Sequence, residues 1–453
     1  LKKKSKIWGF VIFCTVLFGC LTQGFSQDGF QLPNNLKKDK IPFQLVNNLV
    51  IIPVEVNGDK LSFLLDTGVN TTILFGISEA DSLRVKNAKP LKVKGLGTGE
   101  GVVALESKNN EFKIGDAIDH NHTIYVVFEE SLNFSARMGI AIHGIIGYDF
   151  FKNFVVKTDY ISKRITFYNP DTYKRKKCYE CEEFNLSFHN NKPYVNIRMS
   201  SFSSKSEEIT LLLDSGSSDA LWLFNEHNSL VDDSKKYFED FLGLGFSGNI
   251  FGKRSKLNEI WLGDFNLKDV KVAFPEESAT EGITFFAERD GSIGGDILKR
   301  FTMILDYGAK TMILKKNSKF SDPFYYNMAG LTIEHDGLEV ITELTTHSNF
   351  NFNNTSDEGN GTASQAITDV SVFTEIALVP RYVVVDVRKD SPSYLSGVRA
   401  GDELVTINGS PAYKTKLFDL NALFSSKVGK PIRLKIKRNN QLIKVKFVLK
   451  EVI

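Results

Sequence analysis

Phe63-Leu64-Leu65-Asp66-Thr67-Gly68 places a carboxylate behind three apolar residues and ahead of a hydroxyl and a glycine. A short apolar run of this kind reads as a buried strand, so Asp66 is expected at a strand end, inside or beside a core. There an ionised carboxylate is costly unless hydrogen bonds or a partner compensate for it. A single copy fits equally well a strand entering an Asx turn, with Asp and Gly serving backbone geometry. Leu211-Leu212-Leu213-Asp214-Ser215-Gly216 repeats the pattern 148 residues later. Two carboxylates brought face to face do not both ionise easily; they share a proton, which makes one an acid while the other remains a base.

Working outward, the surroundings of the two motifs also repeat. Asn47-Asn48 and Asn57-Gly58 are hairpin signals leading into the first motif, and Asn190-Asn191 followed by a longer polar loop at 200–208 leads into the second. Ile114-Gly115-Asp116 returns as Leu262-Gly263-Asp264, and Gly144-Ile145-Ile146-Gly147 as Gly291-Ser292-Ile293-Gly294. Lys157-Thr158-Asp159-Tyr160 is matched by Ile304-Leu305-Asp306-Tyr307. A nearly constant spacing of 147 or 148 residues over this many landmarks is a duplication. It predicts two homologous, mainly β lobes at 41–172 and 183–318, joined by a basic linker around Lys174-Arg175-Lys176-Lys177. Each half also carries a glycine-punctuated segment, with Gly95, Gly97 and Gly99 in the first and Gly243 and Gly245 in the second. Both lie between apparent strands, whereas phosphate-binding glycine loops run from a strand into a helix. A mobile hairpin tip is the expectation and a plain surface turn the alternative.

The composition narrows the function classes. The 453 residues carry 56 Lys and Arg against 54 Asp and Glu, a net charge of +2, so the basic face that phosphate binding requires is lacking and no nucleic-acid partner is expected. Lys2, Lys3, Lys4 and Lys6 precede an apolar run and then Gly24-Phe25-Ser26, which reads as a secretory signal peptide over 1–26. That implies a periplasmic or secreted protein. Leu17-Phe18-Gly19-Cys20 also resembles a bacterial lipobox, with a bulky Phe18, so a lipid anchor at Cys20 is the alternative fate of the leader. Cys178 and Cys181 are expected to form a local disulfide in an oxidising compartment; with no second Cys pair to complete a zinc site, no metal is assigned. A third unit occupies 328–453, interrupted by a polar insertion at 345–369 that is expected to be flexible.

The paired Asp-Thr/Ser-Gly motifs, each followed by Ile145-Ile146-Gly147 or Ser292-Ile293-Gly294, resemble the retropepsin and pepsin class of aspartic peptidases. The resemblance implies a pseudo-twofold bilobal acid-protease fold with Asp66 and Asp214 as a catalytic dyad, Thr67, Gly68, Ser215 and Gly216 bracing the two loops, and the glycine hairpins acting as flaps. It further implies that Ser217 hydrogen-bonds Asp214, whereas Val69 offers no such hydroxyl beside Asp66. Val69 and Ser292 depart from the family's usual residues. The third unit resembles a bacterial PDZ domain through Ser391-Pro392 and Gly401-Asp402-Glu403-Leu404 to Asn408-Gly409. That resemblance implies an α+β unit in which Ala329-Gly330-Leu331 is the carboxylate-binding loop for a C-terminal peptide, with packing against the peptidase as the alternative role. Together they imply an aspartic endopeptidase, active as a monomer without cofactor on peptide or protein substrates. The rival is a non-catalytic envelope protein that binds peptides in the cleft and through the PDZ domain.

Overall fold

In the computed structural model the described residues are 29–75, 84–93, 102–128, 134–200, 206–224, 237–245, 248–277, 288–354 and 364–453. The expected signal peptide, Cys20 and the first glycine tip (Gly95, Gly97, Gly99) lie outside them. The chain is mainly β, and its two lobes are threaded alike. Lobe 1 comprises β1 (Lys38–Pro42), β2 (Gln44–Val46), β3 (Leu49–Val56), β4 (Asp59–Leu65), β5 (Thr72–Leu74), β6 (Lys89–Val93), β7 (Val102–Ile114), β8 (Ala117–Val127), β9 (Gly144–Ile146), β10 (Val155–Asp159) and β11 (Arg164–Tyr168). Lobe 2 comprises β12 (Cys181–Asn185), β13 (Ser187–His189), β14 (Lys192–Ser200), β15 (Ser206–Leu213), β16 (Leu221–Leu223), β17 (Phe238–Gly245), β18 (Gly248–Leu262), β19 (Phe265–Pro275), β20 (Gly291–Ile293), β21 (Phe301–Asp306) and β22 (Thr311–Lys316).

Eight strands of lobe 1 form a sheet in the order β2-β3-β4-β9-β5-β8-β7-β6, and lobe 2 repeats it as β13-β14-β15-β20-β16-β19-β18-β17. A third sheet, β1-β11-β10-β21-β22-β12, takes strands from both lobes, and its central pair β10 and β21 runs antiparallel from Val155↔Asp306 to Asp159↔Thr302. One apolar core continues through this shared sheet, with Phe63, Phe112, Phe150, Phe167, Leu213 and Phe301 fully enclosed. Burial of side chains this large contributes roughly 1.5–3 kcal/mol each, so the lobes are fastened by core as well as by the ladder.

The tight turns are where Asn tolerates left-handed backbone. Asn47 and Asn48 take φ of 47° and 70°, Asn190 and Asn191 48° and 64°, and the Asn57-Gly58 turn 49° and 96°. Left-handed residues at both central positions match the twist of a two-residue hairpin, which fixes the register of β2 on β3 and of β13 on β14.

The third unit has its own core, including Met328, Leu331, Ile333, Val384, Leu404, Leu420 and Phe424. Its sheet runs β23 (Leu331–Asn354), β24 (Ser364–Val387), β25 (Glu403–Ile407), β27 (Pro431–Arg438) and β28 (Gln441–Val448), with β26 (Ser410–Pro411) paired to β25. The segment expected as a flexible insertion at 345–369 is corrected over its described parts: 345–354 and 364–369 extend β23 and β24 as a paired ribbon out to Asn354↔Ser364. Ladder hydrogen bonds satisfy the backbone without any core-facing apolar period, so a polar tract rich in Thr and Asn still forms strands. Asp402 is fully buried and accepts from Arg438 Nε at 2.6 Å and Nη2 at 2.7 Å, and Ser391 caps the short helix Pro392–Leu395.

Candidate active site

Each motif aspartate follows the last residue of a strand that has a parallel neighbour. β4 pairs with β9 from Phe63↔Gly144 to Leu65↔Ile146, and Asp66 N donates to Ile146 O at 2.9 Å. β15 pairs with β20 in the same way, and Asp214 N donates to Ile293 O at 3.0 Å. The strand ends therefore deliver both carboxylates to the axis between the lobes.

The hydroxyls beside them lock the two loops together. Thr67 Oγ1 donates to Leu213 O at 2.6 Å and accepts from Ser215 N at 3.0 Å; Ser215 Oγ donates to Leu65 O at 2.9 Å and accepts from Thr67 N at 3.0 Å. Both hydroxyls are buried, so each of these four bonds is shielded from water. The glycines allow the approach. A Cβ on Gly216 would lie 2.2 Å from Asp66 Oδ2, and one on Gly68 would lie 3.1 Å from Asp214 Cγ. Gly68 N donates to Asp66 Oδ1 at 2.7 Å and Gly216 N to Asp214 Oδ1 at 3.1 Å.

Asp66 and Asp214 face each other across Gly68, where a Cβ would lie 3.1 Å from Asp214 Oδ1 and 3.2 Å from Asp66 Oδ1. Burial and then the charge of Asp214 push Asp66 up to about 7, against bonds from Gly68 and Gly216 and the charge of Lys192, which favour ionisation. Burial also raises Asp214, and Arg289, Lys192 and the Gly216 amide oppose the rise. The shared proton therefore sits preferentially on Asp66 and the charge on Asp214. The hydrogen bond from Ser217 to Asp214 that the resemblance implies is corrected. Ser217 lines the cavity, its backbone carbonyl accepts from Gly295 N at 2.7 Å, and its side chain makes no bond to Asp214. The bias comes instead from Arg289, whose charge acts on Asp214, whereas Lys192 favours ionisation of both carboxylates; neither belongs to a motif.

The dyad opens into a cavity of about 650 Å³. Val69 and Phe75 line it from lobe 1, and Phe241, Leu242 and Gly243 of β17 from lobe 2. Gly243 follows a bulge between Phe241 and Gly243 in the β17–β18 pairing, and Gly245 ends β17 opposite Gly248. The third unit forms the far wall, with Gly330, Leu331 and Glu334 on the same cavity. Arg137 of the short helix Phe134–Met138 joins all three parts: it pairs with Glu334 at 2.8 Å and lies 4.7 Å from the centre of the Phe241 ring. In the segment expected to bind a carboxylate, Ala329 and Leu331 are buried, Gly330 takes φ +74°, and Gly330 N already donates to Asn327 Oδ1 at 2.9 Å. β23 is nevertheless the edge of its sheet.

Lys192, Arg289 and Arg137 were not identified from the sequence. The available signal was a lobe-to-lobe alignment carried beyond the glycine motifs, which sets Arg289 against Ile142.

Comparison with known families fits this geometry. The family model described as aspartyl protease matches residues 52–150, and that of the PDZ domain matches residues 351–449. The second match begins after Ala329-Gly330-Leu331. No curated protein matches the chain significantly. Among solved structures, the crystal structure of aspartic proteinase from Irpex lacteus is similar at 13% identity and a TM-score of 0.42, over 63% of this chain and 99% of that one. The chain thus combines a first lobe that matches the aspartyl protease family with a C-terminal unit that matches the PDZ domain.

Proposed function

We propose that the chain is an aspartic endopeptidase. The observation that carries this reading is the facing pair: one carboxylate from each lobe, brought together by four buried hydrogen bonds between their loops. In the proposed reaction Asp214 takes a proton from a water molecule while that water attacks the scissile carbonyl, and Asp66 gives its proton to the developing oxyanion. Collapse of the tetrahedral intermediate breaks the C–N bond: the amine leaves with the proton gained by Asp214, and a hydroxyl of the intermediate returns its proton to Asp66, which restores the starting state. The third unit adds a wall to the cleft, so the bound peptide runs along the edge of β23. Peptide pairing with an exposed sheet edge is a recurrent recognition mode. The reading extends to an oxidising location outside the cytoplasm, supported by the Cys178–Cys181 disulfide and the basic-then-apolar leader.

Incubation of the purified protein with a mixed peptide library, beside an Asp66→Asn control, tests the proposal. Cleavage by the wild type alone is expected. Peptide binding with no cleavage by either protein would favour the non-catalytic reading.

A further inference from the structure

At equivalent positions the two lobes turn different chemistry towards the dyad. The equivalence is fixed by the backbone. His143 N donates to Ser62 O and its carbonyl accepts from Phe75 N, both at 2.8 Å; Asp290 N donates to Thr210 O and its carbonyl accepts from Phe224 N, both at 2.9 Å. Arg289 therefore occupies the place of Ile142. Ser292, opposite Leu212, occupies that of Ile145, opposite Leu64. The Asn47-Asn48 and Asn190-Asn191 turns likewise set Lys192 against Leu49.

All six side chains line the cavity that holds Asp66 and Asp214. Those of lobe 1 are apolar and buried. In lobe 2 the guanidinium of Arg289 is fixed, with Nε donating to Gly291 O at 3.0 Å, Nη2 to Ser292 Oγ at 2.7 Å, and the Phe224 ring centre 4.8 Å away. Ser292 thereby gains a reason: the polar residue in an otherwise apolar motif orients a cation. Asp66 and Asp214 act on Lys192, and Asp214 on Arg289, so both cations lie within electrostatic reach of the dyad.

A peptide lying across a pseudo-twofold axis presents the residues on either side of the scissile bond to opposite lobes. We propose, building on the endopeptidase reading, that Arg289 and Lys192 form a substrate carboxylate subsite. The bond cut at the dyad is then flanked by an apolar side chain on the lobe 1 side and by a carboxylate on the lobe 2 side. That carboxylate comes from Asp or Glu, or from a chain end. Arg offers a planar fork that matches a carboxylate, and Lys adds a point charge beside it.

The test uses peptides that differ only in the two residues flanking the scissile bond, each Leu, Gln, Glu or Lys, with free or amidated C-termini. At one pH, kcat/KM is expected to favour Glu over Gln by about 10- to 100-fold at one of the two positions only, as charged hydrogen bonds of ordinary strength would give. Added salt should reduce the preference. Arg289→Gln and Lys192→Gln should each bring the Glu/Gln ratio towards one. Because the ratio is taken within each variant, changes in dyad ionisation cancel. A preference for a free C-terminus over internal Glu assigns the subsite to a chain end, and the activity to a carboxypeptidase in place of an endopeptidase. Equal rates for Glu and Gln at both positions in the wild type would overturn the subsite. Should Arg289→Gln fail to fold, the salt dependence of the wild-type ratio and the Lys192→Gln variant carry the test. If the wild type cleaves nothing, the endopeptidase reading fails separately, and fluorescence anisotropy of the same peptides on Asp66→Asn decides the subsite: tighter binding of Glu than Gln supports it, and equal binding overturns it.

Discussion

Lobe 1 and lobe 2 share a strand order and a set of backbone hydrogen bonds, but lobe 2 gathers charge where lobe 1 does not. Asp149 follows the Gly147 turn of lobe 1, pairs with Lys152 at 3.0 Å, and has a side chain 24% exposed. Its counterpart Asp296 is 5% exposed and lies 2.6 Å from Lys271, 2.7 Å from Lys299 and 3.8 Å from Arg300. The same contrast recurs in the cleft, where Lys192 and Arg289 answer Leu49 and Ile142. A duplicated ladder constrains the backbone, whose donors and acceptors must all be satisfied. The side chains hung on it are free to differ, and here they make a symmetric frame into an asymmetric site.

The largest effects are expected where the lobes must act as one. Asp66→Asn and Asp214→Asn should each lower kcat by about 10³-fold or more, since general acid–base catalysis by a positioned side chain contributes on the order of 10²–10⁴ and each substitution removes a member of a single shared unit. Substantial turnover by either variant would show that the lobes do not share one site.

The glycines beside the dyad should be unequal. Gly216→Ala brings a methyl to 2.2 Å from Asp66 Oδ2, whereas Gly68→Ala meets Asp214 at 3.1 Å. Misplacement of reacting groups by about 1 Å can cost roughly 100-fold, so kcat/KM should fall by about that factor for Gly216→Ala and clearly less for Gly68→Ala. Equal losses would mean that the two loops approach symmetrically.

Stability should report the buried cluster. Asp296→Ala leaves Lys271 and Lys299 without their buried partner and should cost about 3–5 kcal/mol, against about 1 kcal/mol or less for Asp149→Ala, as read by urea unfolding. Although burial raises it, the charges of Lys271 and Lys299 hold the Asp296 carboxyl well below its ordinary value of 3.8. A depressed folded value means that this stabilisation is present above the ordinary value and is lost only as the pH falls into strong acid.

Asp66 behaves in the opposite sense. Its folded value near 7 lies above the ordinary 3.8, so between pH 4 and 7 the native state binds more protons than the unfolded one and stability falls as pH rises. Asp66→Asn removes that penalty. It should stabilise the protein by about 1–3 kcal/mol at pH 8 and by almost nothing at pH 3.5, a difference measurable by thermal unfolding at the two values.

The parts legible in the sequence were those under backbone constraint. Asp66 and Asp214 stand in a pattern whose glycines recur because a Cβ on Gly68 or Gly216 would press on the opposite carboxylate, and Asn47-Asn48 and Asn190-Asn191 announce turns with left-handed backbone. Lys192 and Arg289 belong to no pattern; they matter because the fold brings strand starts from distant parts of lobe 2 onto one cavity. Ser217 was misread because a hydroxyl three residues from Asp214 is near it in sequence but does not bond it. The ribbon of β23 and β24 was missed beyond Thr345 because its polar composition lacks an apolar period, whereas what forms it is continuous pairing from Leu338↔Pro380 to Asn354↔Ser364.

The pH dependence of kcat/KM for a peptide cleaved by the wild type tests the shared proton most directly. Asp214 must be ionised and Asp66 protonated in the free enzyme, so the profile should be bell-shaped, with an alkaline limb near pH 7 where Asp66 loses its proton. Arg289→Gln, which removes a charge that favours ionised Asp214, should move the acidic limb to higher pH. A rate that stays level or climbs from pH 7 to pH 9 would contradict the account, because no protonated carboxylate would then be needed.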